Sequence, residues 1–517
     1  MATWYFDSVA GSDTTGVGSE ANPWATYEGK VGSTASGDTC LFKRGTSQII
    51  YTSFRAPKSG LSLAQPFVMG AYGTGANPVF SFPNSAGSWG AILNGSNLSY
   101  VTLEDLDFDC ATTNATKNTS ILLAAQTTST ATGWRIRRCR FYNAGGNTSG
   151  FIVRKDVAAT TAAVTDVRFE YCDFFNNGEH GVIAIGVSGI RYYKCRAWSN
   201  GLTATQGGHG FSSRWNRTDV TSGWTLVSGN IYKRTLSAAE QAGSVDYVQS
   251  PIANRLRLTK NTSTPTAPAL DEFGVSAGEL YINVGVTPNG LSIRYAWGRC
   301  WDIGYEDCQA WGNRINTLST FLEGNGFAFD DFTEDSFVRR CKSYDNEGRG
   351  FSSNRGDRNI IEDCLAYRNQ LCGVGTNTSK DLTIRRSTFA ANNIGNVQAP
   401  TGNLGVIQFS PNVANAAITN CVIVGKGTDI GVDDTAFASG TTITGCSITN
   451  VSAATTTATP TSPISGDPLL TADYRPRTDS PLWGAGTFAG YVRDVEGRQR
   501  QNPPCVGAFD APTFAIA

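Results

Sequence analysis

The sequence predicts an all-β right-handed parallel β-helix, a solenoid with three strands per coil and a period of about 23 residues. The chain length, an all-β composition and a repeated motif lead to this prediction. At 517 residues, the chain exceeds the usual size of one compact core, so it forms either several domains or an elongated repeat. The composition favours the repeat, because 57 glycines accompany abundant Thr, Ser and Asn, while runs of helix-forming residues are missing.

The repeated motif is an apolar residue, two variable residues, Cys, a variable residue, a small or apolar residue, an aromatic residue, a variable residue and Asn. A Gly and another apolar run follow within a few residues. The copies are IRRCRFYNAG, FEYCDFFNNG, YYKCRAWSNG, YEDCQAWGNR, VRRCKSYDNEG and IEDCLAYRNQ. Short apolar runs of period two, separated by Asn and Gly, are typical of coils whose strands stack in parallel about 4.8 Å apart.

The cysteines of the motif are interpreted as an inward ladder of packed thiols, and the asparagines after them as a ladder at a turn. Free Cys packs as a small apolar residue, whereas zinc ligands would have to converge on one point. No metal is therefore assigned. The ladder comprises Cys139, Cys172, Cys195, Cys308, Cys341 and Cys364, with Asp105 before it and Ser387, Cys421 and Cys446 after it.

Two further segments complete the predicted architecture. Residues 22–31 (NPWATYEGKV) carry Pro near a helix start, which predicts a short helix capping the N-terminal end of the solenoid. The 113-residue spacing from Cys195 to Cys308 exceeds one coil and contains three alternating strand patterns, so an inserted β subdomain is expected. The predicted segments are 1–94 (cap and first coils), 95–215 (coils), 216–296 (inserted subdomain), 297–452 (coils) and 453–517 (C-terminal cap).

Charge and hydropathy exclude several classes of function. Charged residues make up only 16% of the chain and balance to a net charge of -1, which argues against nucleic acid or an anionic membrane as a partner. The start, MATWYFDSVAGSD, has no basic segment before an apolar core, and no stretch approaches the roughly 20 apolar residues of a membrane span. We therefore expect no signal peptide, synthesis in the cytoplasm, and release by lysis or a dedicated machine.

Outside the coil motif, three stretches resemble the pectate-lyase-like right-handed parallel β-helix proteins. YFDSVAGSDTTGVGSEANPWATYEGKV is similar to their N-terminal cap, PFVMGAYGTGANPVFS to their first full coil, and DPLLTADYRPRTDSPLWGAGT with VGAFD to their C-terminal cap. The resemblance implies one of several activities, because the family includes polysaccharide lyases, glycoside hydrolases, epimerases, phage depolymerases and inactive binding proteins. Low-charge, polar coils and the predicted lack of a signal peptide favour a bacteriophage tailspike or related virion protein.

Chemistry on a solenoid is expected where an insertion walls one face that polar side chains line. Aligning the coils on the Gly that opens one strand of each places Asp330 between Arg214 and Asn354 on neighbouring coils. The next position of the alignment holds Asp331. The candidate catalytic residues are Asp330, Asp331, Glu323, Glu347, Arg355, Asp357 and His209, and the candidate substrate-binding residues are Arg214, Trp215, Asn354 and Trp224.

Two neighbouring carboxylates close to Arg would separate in pKa, so that one acts as an acid while the other stays ionised. Glycosidases need such a pair about 5–9.5 Å apart, whereas lyases need a base together with Arg or Ca²⁺ that neutralises a uronate. No cofactor is assigned, and Ca²⁺ is retained for the lyase alternative only. Trp215 and Trp224 are candidates for stacking on sugar rings.

Each candidate also has a structural interpretation, and these alternatives stay open from sequence. They are strand-end turns for Asp330 and Asp331, solvated turns for Glu323 and Glu347, an ion pair across a turn for Arg355 with Asp357, and turn positions for His180 and His209.

Three functional hypotheses follow. The first is a virion-associated hydrolase or lyase that depolymerises a host surface polysaccharide. The second is a non-enzymatic spike or fibre that binds glycan or builds the particle, and the third is a bacterial polysaccharide lyase. The partners expected are the polysaccharide and, for a spike, phage tail components and two further copies of the chain in a homotrimer.

Overall fold

The repeated motif forms a solenoid in which successive coils contribute strands to three parallel sheets. The predicted all-β right-handed parallel β-helix is therefore confirmed. The structure is a computed structural model. It describes residues 1–51, 57–82, 90–110, 118–125, 129–146, 148–155, 163–202, 207–243, 245, 247–249, 258–315, 324–395, 405–409, 413–434, 440–487 and 492–510.

The first sheet contains 13 strands, each paired in parallel with the strands one coil away. In spatial order they are Thr3–Phe6, Thr39–Lys43, Phe67–Tyr72, Val101–Glu104, Thr130–Arg137, Ala163–Glu170, Ser188–Tyr193, Trp301–Glu306, Phe337–Arg339, Ile360–Glu362, Thr383–Arg385, Ala417–Thr419 and Thr442–Thr444.

The second sheet contains 12 shorter strands that follow the first-sheet strands after a tight turn. They are Ser47–Ile49, Val79–Ser81, Asp107–Asp109, Arg140–Tyr142, Asp173–Phe175, Arg196–Trp198, Gln309–Trp311, Lys342–Tyr344, Leu365–Tyr367, Thr388–Ala390, Val422–Val424 and Ser447–Thr449.

The third sheet, with 11 strands, closes each coil. Its strands are Gly90–Asn94, Asn118–Ala125, Phe151–Lys155, Val182–Ile185, Phe211–Arg214, Phe327–Phe329, Phe351–Asn354, Val374–Asn377, Gly405–Phe409, Ile430–Asp433 and Ala453–Thr455.

The cysteine ladder lies inside the solenoid, as the sequence predicts. All 13 cysteines are buried and free, and the backbone N–H of Cys195 donates to Sγ of Cys308 on the next coil at 3.4 Å. One position of the predicted ladder is wrong by a residue. Because Arg140 pairs with Asp107, Leu106 rather than Asp105 occupies the cysteine position, and Asp105 forms the tight turn with a positive φ of 56°.

Buried asparagines form the second predicted ladder, at the turn between the second and third sheets. Nδ2 of Asn200 donates to Oδ1 of Asn313 at 2.9 Å, and Nδ2 of Asn313 donates to Oδ1 of Asn346 at 2.7 Å. The ladder continues through Asn369, which accepts from Asn346 at 2.9 Å. Each amide thus meets its donors and acceptors inside the core, where an unpaired polar group would be costly.

The N-terminal cap contains the expected short helix, Tyr27–Lys30, followed by the 3-10 turn Val31–Ser33. Thr26 caps the helix, because its Oγ1 accepts from the backbone N–H of Gly29 at 3.2 Å. Tyr27 is buried and completes the aromatic core at this end of the solenoid.

The inserted β subdomain leaves the solenoid after the third-sheet strand Phe211–Arg214. It has its own apolar core and two sheets, and the chain re-enters the solenoid at the first-sheet strand Trp301–Glu306. Its elements are the sheet Asn216–Val220, Ile293–Trp297 and Tyr247–Gln249, the sheet Thr225–Ser228, Ile231–Thr235, Glu279–Asn283, Glu272–Ser276 and Thr259–Lys260, and the helix Ala238–Gly243.

The C-terminal segment folds back along the second sheet. Arg500 is buried and forms an ion pair with Asp363 at 2.9 Å, and Tyr474 packs against Tyr367 with ring centroids 4.9 Å apart. In the part of the chain that the structure describes, no helix is long and apolar enough to cross a membrane.

Candidate functional site

The candidate site lies on the outer surface of the third sheet, which we call the site face. Phe211, Phe327 and Phe351 point into the core, so the residues after them, among them Ser212 and Ser352, point outward. Phe329 pairs with Ser213 on one side and with Ser353 on the other. This register places Asp330 between Arg214 and Asn354, as the sequence alignment predicts.

Asp330 binds a histidine and an asparagine on the site face. Its Oδ2 lies 2.9 Å from Nε2 of His209, and its Oδ1 accepts from Nδ2 of Asn354 at 2.6 Å. Burial alone would raise the pKa of Asp330, but the interactions with His209 and Asn354 outweigh it and hold the pKa well below the usual range. Asp330 is therefore a fixed negative charge at neutral pH.

The two histidines of the chain stack on neighbouring coils, with ring centroids 4.9 Å apart. Nδ1 of His209 accepts from the backbone N–H of Asn325 at 3.1 Å, and Nδ1 of His180 accepts from the backbone N–H of His209 at 3.0 Å. Each neutral ring therefore carries its proton on Nε2. In His209 that proton points at Asp330, so the residue is more than the turn element that its sequence position also allowed.

Glu179 lies at the other end of the histidine stack. Its Oε1 is 3.5 Å from Nε2 of His180, and its side chain is 19% exposed. Burial raises the pKa of Glu179 above its usual value, although Arg214 and His209 oppose the shift. Burial also lowers the pKa of His180 well below its usual value, so this ring stays neutral. Sequence reasoning missed Glu179; the available signal was its place directly before the aligned His-Gly pair.

Asp331 is held by two arginines, one from the coil and one from the insertion. Its Oδ1 accepts from Nη1 of Arg355 at 2.7 Å and lies 3.7 Å from Nη1 of Arg294. Nε of Arg294 in turn donates to Oδ1 of Asp219 at 2.5 Å. The insertion therefore walls the site, although sequence reasoning named neither of its two contributing residues, Arg294 and Asp219.

Arg355 is an unusual guanidinium, because burial and the nearby charge of Arg294 lower its pKa to about 10. Asp357, the partner that one sequence interpretation gave it, instead accepts from the backbone N–H of Lys380 at 3.0 Å. The predicted ion pair of Arg355 is therefore wrong in its partner, since the carboxylate bound to Arg355 is Asp331.

Both tryptophans predicted to stack on sugar rings are core residues. Trp215 is 1% exposed, and its Nε1 donates to the carbonyl of Cys300 at 3.0 Å. Trp224 lies in the apolar core of the insertion. This part of the prediction is wrong, because neither ring offers a face to a ligand. Trp301, at 43% exposure beside Arg299, is the tryptophan that the sequence reasoning overlooked.

Of the two predicted glutamates, Glu347 does not join the carboxylate cluster. Oε2 of Glu347 accepts from the backbone N–H of Ile315 at 2.8 Å, which makes it a turn residue on the adjoining loop. Glu323 lies outside the described residues. Within the described ranges, no three His, Cys, Asp or Glu side chains come together as metal ligands would.

A groove of about 950 Å³ lies elsewhere, between the C-terminal segment and the turn that joins the first and second sheets. Lys194, Arg340 and Arg493 line it. Arg340 forms an ion pair with Asp307 at 2.7 Å, and Arg493 donates to the carbonyl of Gly497 at 2.7 Å. Of these three cations, Arg340 is neutralised by a carboxylate of the protein, and the chemistry is assigned to the site face on the carboxylates and histidines described above.

No family model matches this chain. No curated protein matches it either. Among solved structures, the A-module of mannuronan C-5 epimerase AlgE6 from Azotobacter vinelandii is 12% identical, with a TM-score of 0.52, over 85% of this chain and 93% of that chain. The A-module of AlgE4 from the same organism is 12% identical, with a TM-score of 0.49, over 83% of this chain and 91% of that chain. Pectate lyase Pel9A is 13% identical, with a TM-score of 0.48, over 99% of this chain and 97% of that chain. From its three parallel sheets and its likeness to the AlgE6 module, this chain has the right-handed parallel β-helix fold of the pectate-lyase-like proteins.

Proposed function

We propose that this chain is a carbohydrate-active enzyme that cleaves a polysaccharide lying along the site face. The observation that carries the proposal is a pair of carboxyl groups with opposite pKa shifts, Glu179 raised and Asp330 lowered, at the two ends of the histidine stack. Environments that push two carboxyl groups apart in this way set up an acid and a base for glycoside hydrolysis. The AlgE6 module named above supports the proposal only through the shared fold.

In the proposed reaction, Glu179 gives its proton to the glycosidic oxygen as the bond from that oxygen to the anomeric carbon breaks. Asp330, fixed as an anion by His209 and Asn354, stabilises the positive charge that develops on the sugar ring. A water molecule then adds to the anomeric carbon, and its proton returns to Glu179. His180 stays neutral and orients Glu179 through its Nε2 proton.

Elimination is the second candidate reaction, and Arg355 is the observation that favours it. A guanidinium whose pKa falls to about 10 is a better proton acceptor than an ordinary arginine, and Asp331 fixes its position. A lyase would remove a proton from the carbon next to a uronate carboxyl group, and the bond from the adjacent carbon to the glycosidic oxygen would break. The leaving oxygen takes up a proton, and a carbon–carbon double bond remains in the other product. The two reactions therefore differ in their products.

The experiment is incubation of the protein with a panel of bacterial surface polysaccharides, with reducing ends and unsaturated-uronate absorbance followed in parallel. Hydrolysis predicts reducing ends without the absorbance, and Glu179→Gln should lower kcat/KM strongly because the amide has no proton to give to the glycosidic oxygen. If Arg355→Lys abolishes turnover and Glu179→Gln does not, elimination replaces hydrolysis. Turnover that survives in both Asp330→Asn and Arg355→Lys would show that the site lies elsewhere.

We further propose that the enzyme works outside the cell as a phage tailspike or related virion protein, with two further copies of the chain and tail components as partners. The polar, low-charge coils support this setting, because their charge balance suits a glycan better than nucleic acid or an anionic membrane. Light scattering should then give the mass of a trimer, whereas a monomeric mass together with absence from purified particles would contradict the virion assignment.

A further inference from the structure

The tight turn between the first and second sheets follows a charge rule. On eight successive coils one residue of this turn has a φ between 48° and 57°, and acidic positions alternate with basic ones. Where the rule holds, each arginine binds the aspartate of the coil before it: Arg138 binds Asp105 at 2.6 Å, Arg340 binds Asp307 at 2.7 Å and Arg386 binds Asp363 at 2.9 Å. These pairs match the charges of neighbouring coils within the protein.

One pair of coils breaks the charge rule. Lys194 occupies a basic position, but the acidic position before it holds Tyr171, which is 51% exposed. Nζ of Lys194 lies 5.6 Å from the ring centroid of Tyr171 and 5.1 Å from that of Tyr193. Asp307 on the next coil is already bound by Arg340, and among the described residues no carboxylate lies within ion-pair distance of Lys194. A local departure from an otherwise consistent pattern is expected at functional sites.

Lys194 lines the groove of about 950 Å³ between this turn and the C-terminal segment, which we call the edge groove. Its volume falls within the range of ligand-binding clefts, about 300–1,000 Å³. Arg493 lines the edge groove from the C-terminal segment. This arginine is exposed, donates to the carbonyl of Gly497 at 2.7 Å and lies beyond ion-pair distance of every described carboxylate. The turn and the C-terminal segment therefore each bring an unneutralised cation to the edge groove.

A third cation of the edge groove shares its carboxylate with two arginines. Nζ of Lys342 lies 4.0 Å from Oε1 of Glu496. The other oxygen of Glu496 accepts from Nη1 of Arg475 at 2.7 Å and lies 3.1 Å from Nη2 of Arg498. Five basic side chains and three carboxylates line the edge groove, which gives it an excess of two positive charges. A cleft of one sign concentrates ligands of the opposite charge.

The two tyrosines beside Lys194 suit a ring-shaped ligand. Tyr193 lines the edge groove and Tyr171 adjoins it, with ring centroids 5.8 Å apart and ring planes inclined at 84°. A tyrosine ring offers an apolar body to the C–H groups of a sugar and a hydroxyl that forms hydrogen bonds. Lysine and arginine form their strongest hydrogen bonds with carboxylate, sulfate or phosphate oxygens. The edge groove therefore combines the two kinds of group that recognise an anionic sugar.

We propose that the edge groove binds an anionic sugar unit, one that carries a carboxylate, sulfate or phosphate group, without reacting with it. This site goes beyond the proposed function, because the turn between the first and second sheets is the corner of the coil opposite the site face. A layer of glycan chains that meets the protein at both places would be held by two linked contacts. Linked contacts give an overall affinity above that of either one.

The test uses the full chain with Asp330→Asn as background, so that turnover does not consume the probes. Calorimetry measures the binding of short oligosaccharides of galacturonate, sulfated galactose and phosphorylated mannose, each beside the neutral hexose oligosaccharide of the same length. Lys194→Gln should weaken binding of the matching anionic probe by about 10- to 100-fold, because one charged hydrogen-bond donor is lost. The matched control is Arg138→Gln, which removes an equal charge at the same turn position from a pair that follows the rule and should change binding by less than about twofold.

Tyr171→Asp provides a second variant that keeps the lysine. It supplies the carboxylate that the charge rule requires, so Lys194 should pair with it and the anionic probe should bind at least about tenfold more weakly. The thermal unfolding temperature should stay at or above that of the parent. If no anionic probe binds better than its neutral counterpart, or if both variants bind like the parent, the proposal is overturned. Acetate, sulfate or inorganic phosphate that binds as tightly as the matching oligosaccharide would overturn it too, because the sugar ring would then not be recognised.

Discussion

The site face and the turn between the first and second sheets both stack arginine beside aspartate from neighbouring coils, but with opposite results. At the turn, Arg138 binds Asp105 at 2.6 Å in a half-exposed pair, which raises the pKa of the arginine and lowers that of the acid. On the site face, Arg355 binds Asp331 at 2.7 Å, yet its pKa falls because the pair is buried and Arg294 adds a second positive charge.

The difference is one of surroundings rather than of residue type. A matched, solvated pair contributes little to stability and lowers the reactivity of both partners. A buried pair with an extra charge leaves one group poised to exchange a proton or to bind a charged ligand. In this solenoid the insertion produces the difference, since Arg294 comes from its strand Ile293–Trp297.

The largest effect that tests this comparison is on catalysis. Asp330→Asn should lower kcat/KM by about 10²- to 10⁴-fold, because it removes the fixed charge at the reacting centre. Asp307→Asn, which removes an equivalent carboxylate from the turn pair with Arg340, should change kcat/KM by less than about twofold. Equal losses of kcat/KM in the two variants would show that the site face and the turn do not differ in their role in catalysis.

The next effect is on stability and concerns the two tryptophans beside the insertion. Trp215→Ala should lower the free energy of unfolding by about 3–5 kcal/mol, because it empties a large buried volume and frees the carbonyl of Cys300. Trp301→Ala should cost less than about 1 kcal/mol, since this ring is half-exposed. Denaturant unfolding monitored by circular dichroism measures both values, and a small loss for Trp215→Ala would contradict its place in the core.

A smaller effect on stability compares two adjacent residues, one in the buried asparagine ladder and one in a surface ion pair. Asn369→Ala should destabilise the chain by about 1–3 kcal/mol, because its ladder neighbours Asn346 and Asn392 lose partners in the core. Arg368→Ala removes an exposed ion pair with Asp345 and should cost less than about 1 kcal/mol. Denaturant unfolding measures both values. A larger loss in Arg368→Ala than in Asn369→Ala would mean that the ladder contributes little to the free energy of unfolding.

The smallest expected effect is a pH dependence of stability at Glu179. Since burial raises its folded-state pKa, the stability it contributes is fully present below the unfolded pKa and is lost as pH rises through the folded pKa. Glu179→Gln cannot ionise, so its stability relative to wild type should increase as pH rises from about 4 to about 8. A difference that stays constant over this range would show that the carboxyl group is not buried as described.

The sequence predicts the coil register well, because the copies of a repeated pattern can be aligned with one another. The Phe-x-Phe alternation around Phe327 and the Gly before it place Asp330 beside Arg214 and Asn354, and the structure confirms this placement. The ladder prediction fails only at Asp105, one residue from the aligned Leu106, where no Cys marks the position in the sequence.

The sequence alone does not show which side chains are buried or which distant strands pair. An aromatic residue at a strand end, such as Trp215, can turn toward the core or toward solvent without any change in the pattern. The pKa of Glu179 depends on its burial on the site face. Arg294 reaches Asp331 only because its strand pairs with Asn216–Val220, and no local signal marks that pairing.

The insertion also affects the stage of folding at which the site forms. Most coils pair residues 23 to 33 positions apart, but across the insertion Cys195 meets Cys308 at a separation of 113, and His209 meets Asn325 at 116. Contacts between distant residues form late because a long loop must first close. The histidine, the carboxylate and the arginines from both sides are therefore expected to meet only when the two halves of the solenoid join. A chain that is cut or stalled within the insertion would then have ordered coils on either side of an unformed candidate site.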